Sequence, residues 1–261
     1  SISGAATAAG VNRSTVLDRA VRWLNENPSL SVVIPAFNEV ATIDRILAAV
    51  RAVDLDTEII VVDDYSTDGT RDRLKQIAAE ASDGLRVIFH DRNQGKGAAL
   101  QTGFAAARGR FVVVQDADLE YDPNDFGKLL EPLLDDRADV VFGSRFLNGA
   151  PVDAFNTWQL RGNRILTSLS NRFTGLKLTD METCYKVFPR EIIQAISLRE
   201  ARFGFEPEIT AKLARYRIAG RPLRFEEVAV YYHGRTAREG KKIGWKDGVR
   251  ALWCIVKYSC F

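Results

Sequence analysis

From residue 31 onward, short apolar runs alternate with stretches of helical period. "SVVIPA" (31–36) precedes an amphipathic stretch over 40–53, "EIIVVDD" (58–64) precedes 69–82, and "LRVIFH" (85–90) precedes 95–108. "RFVVVQD" (110–116) leads to 123–135, and "ADVVFGS" (138–144) closes the series. Apolar runs without alternation, each followed by a helix, predict a parallel sheet covered on both faces. Right-handed crossovers then give a doubly wound, Rossmann-like α/β fold with a mostly parallel sheet over about 31–145. Beyond residue 145 the pattern changes. A loop rich in Gly, Pro, Asn and Asp (147–157) leads to a helical segment (158–174), an extended "CYKVF" (184–188) and a helix over 205–217. A strand-like "EEVAVYYH" (226–233) and an amphipathic helix over 243–258 follow. This second half is expected to extend the sheet and wall a site. The expected organisation is a flexible segment with a short helix capped by Ser14 (1–28), one α/β domain (29–242) and a C-terminal amphipathic helix (243–261).

Composition narrows the class. Hydrophobic residues are 46% and charged residues 27% of the 261, so a core can form without staples. A formal net charge of +2 argues against bulk nucleic-acid binding, so any anion preference must be local. Cys184, Cys254 and Cys260 are too few and too scattered for a disulfide framework or a zinc site, which fits a reducing cytoplasmic setting. Residues 1–28 lack the apolar core of a signal peptide. No run approaches the roughly 18 apolar residues that span a bilayer.

In an open α/β sheet, ligands bind outside the carboxyl ends of the strands. Those ends read "PAFNE" (35–39), "VDDYSTDGT" (62–70), "QDADLE" (115–120) and "GSRF" (143–146): a Pro-aromatic loop, two acidic ends and a basic one. A buried strand that ends in carboxylates suits a cation and its anionic cargo. Asp68 and Asp122 read as turn or cap residues. No G-x-G-x-x-G follows the first strand, and "NQGKGAAL" (93–100) lacks Walker spacing, although its glycines could open a helix N-terminus.

With these motifs in this order, the chain resembles the family 2 glycosyltransferases of GT-A fold over roughly 31–258. "SVVIPAFNE" looks like the nucleotide-binding opening, "EIIVVDDYSTDGT" the second strand and "DAD" the metal-binding D-x-D. "GSRF", "RGNRI", "TDMETCYKVF", "GFEPEITAKLAR" and "GRTAREGKKI" carry a narrower resemblance to dolichyl-phosphate mannose and polyprenyl-phosphate glucose synthases. The resemblance implies inverting, metal-dependent transfer of a hexose from a UDP- or GDP-sugar to a polyprenyl or dolichyl phosphate.

It also implies roles. Mg²⁺ or Mn²⁺ would sit on Asp118, with Asp116 on the ribose or the metal and Glu120 as a candidate third ligand, and would neutralise the departing diphosphate. Pro35, Phe37 and Glu39 would line the nucleoside pocket, Asp64 would accept from the base edge, and Ala117 would touch the nucleotide sugar. A lipid monophosphate is already anionic and needs positive charge more than a general base; Arg145, Arg161, Arg235 and Lys241 fit that need. By the resemblance, Arg145, Arg235 and Lys241 could grip the donor diphosphate instead. Asp118, Arg161 and Asp180 are expected at the reacting groups, Asp180 orienting hydroxyls or, with an alcohol acceptor, acting as base. Glu206 either faces the same cavity or marks a helix start.

A polyprenyl chain stays in the bilayer, so the resemblance implies a protein peripheral to the cytoplasmic face of a membrane. Trp245, Leu252, Trp253, Val256 and Tyr258 alternate with Lys246, Arg250 and Lys257, which suits an interfacial helix or a helix packed on the sheet. A partner or a further segment could supply an anchor. Two alternatives stand beside this reading: the same fold acting on a soluble or polysaccharide hydroxyl, and a non-catalytic nucleotide-sugar sensor.

Overall fold

The computed structural model describes residues 30–80, 84–147, 157–234 and 245–260. The expected Ser14 helix, Arg235 and Lys241 lie outside them. The first half alternates as the apolar pattern predicts. β1 (Leu30–Ala36), α1 (Ile43–Arg51), β2 (Thr57–Asp63), α2 (Thr70–Glu80) and β3 (Leu85–Phe89) come first. Next are α3 (Lys96–Ala106), β4 (Phe111–Val114), a single 3-10 turn (Pro123–Asp125), α4 (Phe126–Leu134) and β5 (Val140–Ser144). α5 (Thr157–Thr174), β6 (Lys186–Pro189), α6 (Arg190–Ala195) and α7 (Phe205–Arg215) open the second half. A two-residue hairpin, β7 (Arg217–Ile218) and β8 (Arg221–Pro222), precedes β9 (Phe225–Ala229) and α8 (Trp245–Cys260).

Seven strands form one sheet in the order β3-β2-β1-β4-β6-β5-β9. Six run parallel, and β6 lies antiparallel between β4 and β5. The central strands are buried on both faces: Val32, Val33, Ile34, Ile60, Val61, Val62, Val112 and Val113 are sealed from solvent. Non-alternating β-branched runs stabilise that arrangement because both faces of the pleat meet apolar layers.

Register places the strand ends together. Ala36 pairs with Asp63, so the exits of β1 and β2 coincide. β4 ends opposite Val33, and the Gln115 amide still bonds the Val33 carbonyl at 3.0 Å, so residues 115–120 leave the sheet at the same rim. An antiparallel strand begins where its parallel neighbours end. β6 therefore carries residues 180–185 onto this rim between the exits of β4 and β5.

The expected extension of the sheet by the second half is what β6 and β9 provide. The C-terminal α8 packs on α7 and α5. Its inner face buries Ala251, Cys254, Ile255 and Tyr258, while Val249, Leu252, Trp253 and Val256 are exposed along its outer face.

Candidate active site

The loops after β1 and β2 hold each other. The Asn38 amide bonds Ser66 Oγ (2.9 Å), the Thr67 amide bonds Asn38 Oδ1 (2.8 Å), and the Glu39 amide bonds Thr70 Oγ1 (2.8 Å). Asn38 accepts a left-handed φ of 56° to do so, a conformation its short polar side chain tolerates. Pro35, Phe37 and Glu39 are thereby held half-buried at the rim, and Glu39 Oε2 accepts from Thr42 at 3.0 Å. Asp68 is a cap, as its sequence suggested: its carboxylate takes the Thr70 amide and hydroxyl and the Val40 amide. Asp122 likewise accepts the Asn124 amide at 3.0 Å.

Asp64 is buried and draws three donors. Gln94 N (2.8 Å) and His90 Nδ1 (2.8 Å) meet Oδ1, and Gly95 N (2.7 Å) meets Oδ2. In the structure it pins the turn that opens α3. His90 Nε2 lies 3.0 Å from Thr102 Oγ1, which fixes the ring from its other side.

That turn presents Lys96, which only its flanking glycines mark in the sequence. Gly95 has φ +102°, and a Cβ there or at Gly97 would fall 2.4 or 2.2 Å from the carbonyl oxygens of Ala201 and Glu200. The close approach seats the start of α3 on residues 200–201 and aims Lys96 inward. Its Nζ lies 2.9 Å from Asp116 Oδ1 and 3.5 Å from Glu206 Oε1. Burial opposes the ammonium's charge, yet Asp116 and Glu206 outweigh it and hold Lys96 well above the ordinary lysine value. Burial would likewise raise Asp116; the Lys96 ammonium wins and lowers it.

Asp118 is half-buried, and its Oδ1 accepts the Glu120 amide at 3.2 Å across Leu119, whose φ is 65°. A bulky residue in that region is strained, and such strain concentrates where a turn must aim a side chain. Ala117 is buried between the two aspartates. Glu120 Oε2 accepts from Tyr232 Oη at 2.9 Å, which ties the acidic turn to the chain leaving β9. The residues present fit an open site: two carboxylates at a rim suit a hard divalent cation that takes its remaining ligands from phosphate and water. A closed cage of three or more protein ligands does not occur among the described residues.

At the exit of β5, Arg145 is locked to Asp180. Arg145 Nε and Nη2 donate to the two carboxylate oxygens at 2.6 and 2.8 Å. The Arg145 amide (3.1 Å) and Asn163 Nδ2 (2.8 Å) fill the remaining sites. Four donors occupy about all the lone pairs a carboxylate has. Asp180 is sealed from solvent, which alone would raise it; Arg145 and Asn163 instead lower it. Its part here is to hold Arg145, whose guanidinium also lies 5.2 Å from the Tyr232 ring centre and 5.7 Å from that of Phe146. Arg161 is exposed on α5, two residues before Asn163.

One rim thus unites the nucleoside loop, the acidic motif and the Arg145 pair. The sequence model of "Glycosyl transferase family 2" matches residues 31–197. The chain belongs to this family. It is 30% identical over 217 residues to a dodecaprenyl-phosphate galacturonate synthase of Rhizobium johnstonii, covering 79% of this chain and 59% of that one. It is 31% identical over 191 residues to an undecaprenyl-phosphate 4-deoxy-4-formamido-L-arabinose transferase of Pseudomonas fluorescens, covering 72% of this chain and 54% of that one. The chain spans between half and three-fifths of the length of these relatives. Its fold superposes with TM-score 0.65 on glucosyl-3-phosphoglycerate synthase from Mycobacterium tuberculosis in complex with Mn²⁺, UDP and glucosyl-3-phosphoglycerate. At 22% identity, over 92% of this chain and 82% of that one, the likeness shows the fold.

Two further carboxyls of this family 2 glycosyltransferase reach the same place. Glu206, in the first turn of α7, is 5% exposed, and Glu182 stands in the turn before β6. In the sequence, Glu206 carries the signal of a cavity residue or a helix start, Lys96 only that of its flanking glycines, and Glu182 none.

Proposed function

We propose that this glycosyltransferase moves a sugar, with inversion, from a nucleoside diphosphate sugar to a polyprenyl phosphate at a membrane surface. The observation that carries the proposal is the commitment of Asp180. A hydroxyl acceptor must lose a proton, and the carboxylate expected to take it has all its lone pairs engaged and its pKa lowered. A phosphate acceptor needs no base. One of its anionic oxygens forms the new bond to the anomeric carbon as the bond to the diphosphate breaks, and the electron pair leaves with the nucleoside diphosphate. The names of the two relatives, a dodecaprenyl-phosphate and an undecaprenyl-phosphate transferase, support the same acceptor class. They also widen the expected hexose to galacturonate and a formamido-arabinose.

In this reading Pro35, Phe37 and Glu39 flank the nucleoside, and Asp64 contributes through the turn it fixes. Asp116 and Asp118 would hold Mg²⁺ or Mn²⁺; Glu120, expected as a third ligand, does not complete a three-carboxylate set among the described residues and accepts from Tyr232 instead. When bound, the ion supplies charge neutralisation at the leaving diphosphate. Arg145, aimed by Asp180, and Arg161 gather the acceptor phosphate. The exposed Val249, Leu252, Trp253 and Val256 give α8 an apolar stripe, with the Arg250 guanidinium and Lys257 ammonium 4.3 and 4.2 Å from the Trp253 ring centre. Tryptophan beside cations suits the lipid interface. Among the described residues, no helix is long and apolar enough to cross a membrane.

The test offers one sugar nucleotide with Mn²⁺ to a polyprenyl phosphate and to the matching polyprenol. Transfer to the phosphate alone, with an inverted anomeric centre by NMR, is expected. Comparable transfer to the alcohol would refute the acceptor assignment. Tight donor binding without turnover on any acceptor would favour a sensor.

A further inference from the structure

Between the Lys96–Asp116 pair and the Arg145–Asp180 pair lie two carboxyls with no part in the reaction as described. Glu206 Oε1 leans on Lys96 at 3.5 Å, but Oε2 is buried with no hydrogen-bond partner among the described residues. Glu182 Oε1 is also sealed from solvent and unpartnered. Buried polar atoms are nearly always bonded, so each such atom asks for a partner that binds later. The position of Glu206 in the first turn of α7 accounts for its charge through the helix dipole, and leaves Oε2 without a donor. Lys186 brings a balancing charge near both carboxyls, but its ammonium donates to the Thr183 carbonyl and no hydrogen bond reaches either of these oxygens.

The chain's topology says what the partner is. Glu182 stands between Asp180, which holds Arg145, and Cys184, whose Sγ lies 3.7 Å from the Val114 carbonyl at the exit of β4. A donor whose diphosphate sits at Asp116–Asp118, and whose anomeric carbon faces a phosphate at Arg145, must place its sugar ring between those ends. We infer that Glu182 and Glu206 are specificity residues that accept hydrogen bonds from hydroxyl or amino groups of the donor sugar; this rests on the transferase reading above. The chemistry favours a neutral or amino sugar. A uronate would set its own carboxylate, which brings only lone pairs, against Glu206.

Affinities for UDP and UDP-glucose, and for GDP and GDP-mannose, would be measured by calorimetry with Mn²⁺ present, on wild type, Glu182→Gln and Glu206→Gln. The substitutions keep shape, and circular dichroism checks the fold. For whichever base binds, the sugar nucleotide should bind more tightly than the bare nucleotide. Glu206→Gln should lose about tenfold of that advantage, as expected for a hydrogen bond to a charged group, and Glu182→Gln, whose carboxyl burial keeps largely protonated at neutral pH, about threefold, with bare nucleotide affinity within about twofold. With UDP as the base, Glu206→Gln should also narrow the preference for UDP-glucose over UDP-glucuronate. Equal losses for nucleotide and sugar nucleotide, or no change in either variant, would overturn the inference while leaving the transferase reading standing. A wild-type chain that binds neither nucleotide would overturn both.

Discussion

Asp64→Asn separates a loop pin from a base reader. Asp64 is 2% exposed, and its Oδ1 takes Gln94 N and His90 Nδ1 while Oδ2 takes Gly95 N. An asparagine can keep its oxygen at the Oδ1 position and save two of these bonds. Its amide nitrogen then faces the Gly95 N–H, donor against donor. Losing that bond and stranding a buried donor costs about 1–3 kcal/mol, and the two surviving bonds lose their charge assistance, so the total is about 2–4 kcal/mol. Against a typical stability of about 5–15 kcal/mol, that loss is large and leaves a folded protein to study. In urea it should lower the unfolding midpoint by about 1 M with an unchanged slope, since slopes for small proteins run about 1–3 kcal/mol per M. Nucleotide affinity of the folded variant should fall less than tenfold. An unchanged midpoint with nucleotide binding abolished would refute the pin and place Asp64 at the base edge.

Three more outcomes are expected. Asp118→Asn should reduce turnover at least 100-fold and remove the Mn²⁺ dependence of nucleotide binding, while its melting temperature stays near wild type because the site is a rim and not core; turnover retained with metal present would remove the role. Burial and the neighbouring Glu206 push Glu182 up from 4.5 to about 8. The folded state then holds a proton the unfolded chain has released, so its stability falls between about pH 5 and 8 by at most about 1.4 kcal/mol per unit; Glu182→Gln should flatten that slope in urea titrations at several pH values. Gly97→Ala drives a Cβ to 2.2 Å from the Glu200 carbonyl oxygen, a backbone atom that cannot swing aside. Overpacking of this kind costs about 1–3 kcal/mol, visible as a lower unfolding midpoint, and a midpoint equal to wild type would show that the 200–201 segment yields freely.

The legible parts of the sequence were those whose cause is local. Runs such as Val112–Val114 and Ile59–Val62 announce strands buried on both faces, and the acids that follow them announce the rim. Asp68 and Asp122 could be named as caps because capping is settled within two or three residues. Partners across the chain were not legible. Lys96 meets Asp116 and Glu206 only because two glycines let α3 sit against residues 200–201. The amphipathic tail suits both an interface and a packed wall, and a helix has room to face both ways. α8 turns Tyr258 inward to Glu200 Oε1 at 2.7 Å, where Arg250 and Lys257 also converge, and leaves Trp253 outward.

The direction of β6 shapes the site most and is not legible in the sequence. "CYKVF" reads as a strand either way round, because strand polarity depends on pairing and not on composition. Run parallel, β6 would carry residues 180–185 to the far edge of the sheet, remote from the acidic motif. Run antiparallel between β4 and β5, it delivers Asp180 to Arg145, Glu182 to the space beside Glu206, and the Cys184 amide to Tyr121 Oη at 3.1 Å. A stretch of five residues thereby joins the cationic end of the rim to the acidic end. That juxtaposition explains why Asp180, which resembles a base in the sequence, is spent on aiming an arginine. It also explains why the neighbouring Glu182, which no pattern singled out, is left with a buried oxygen to offer.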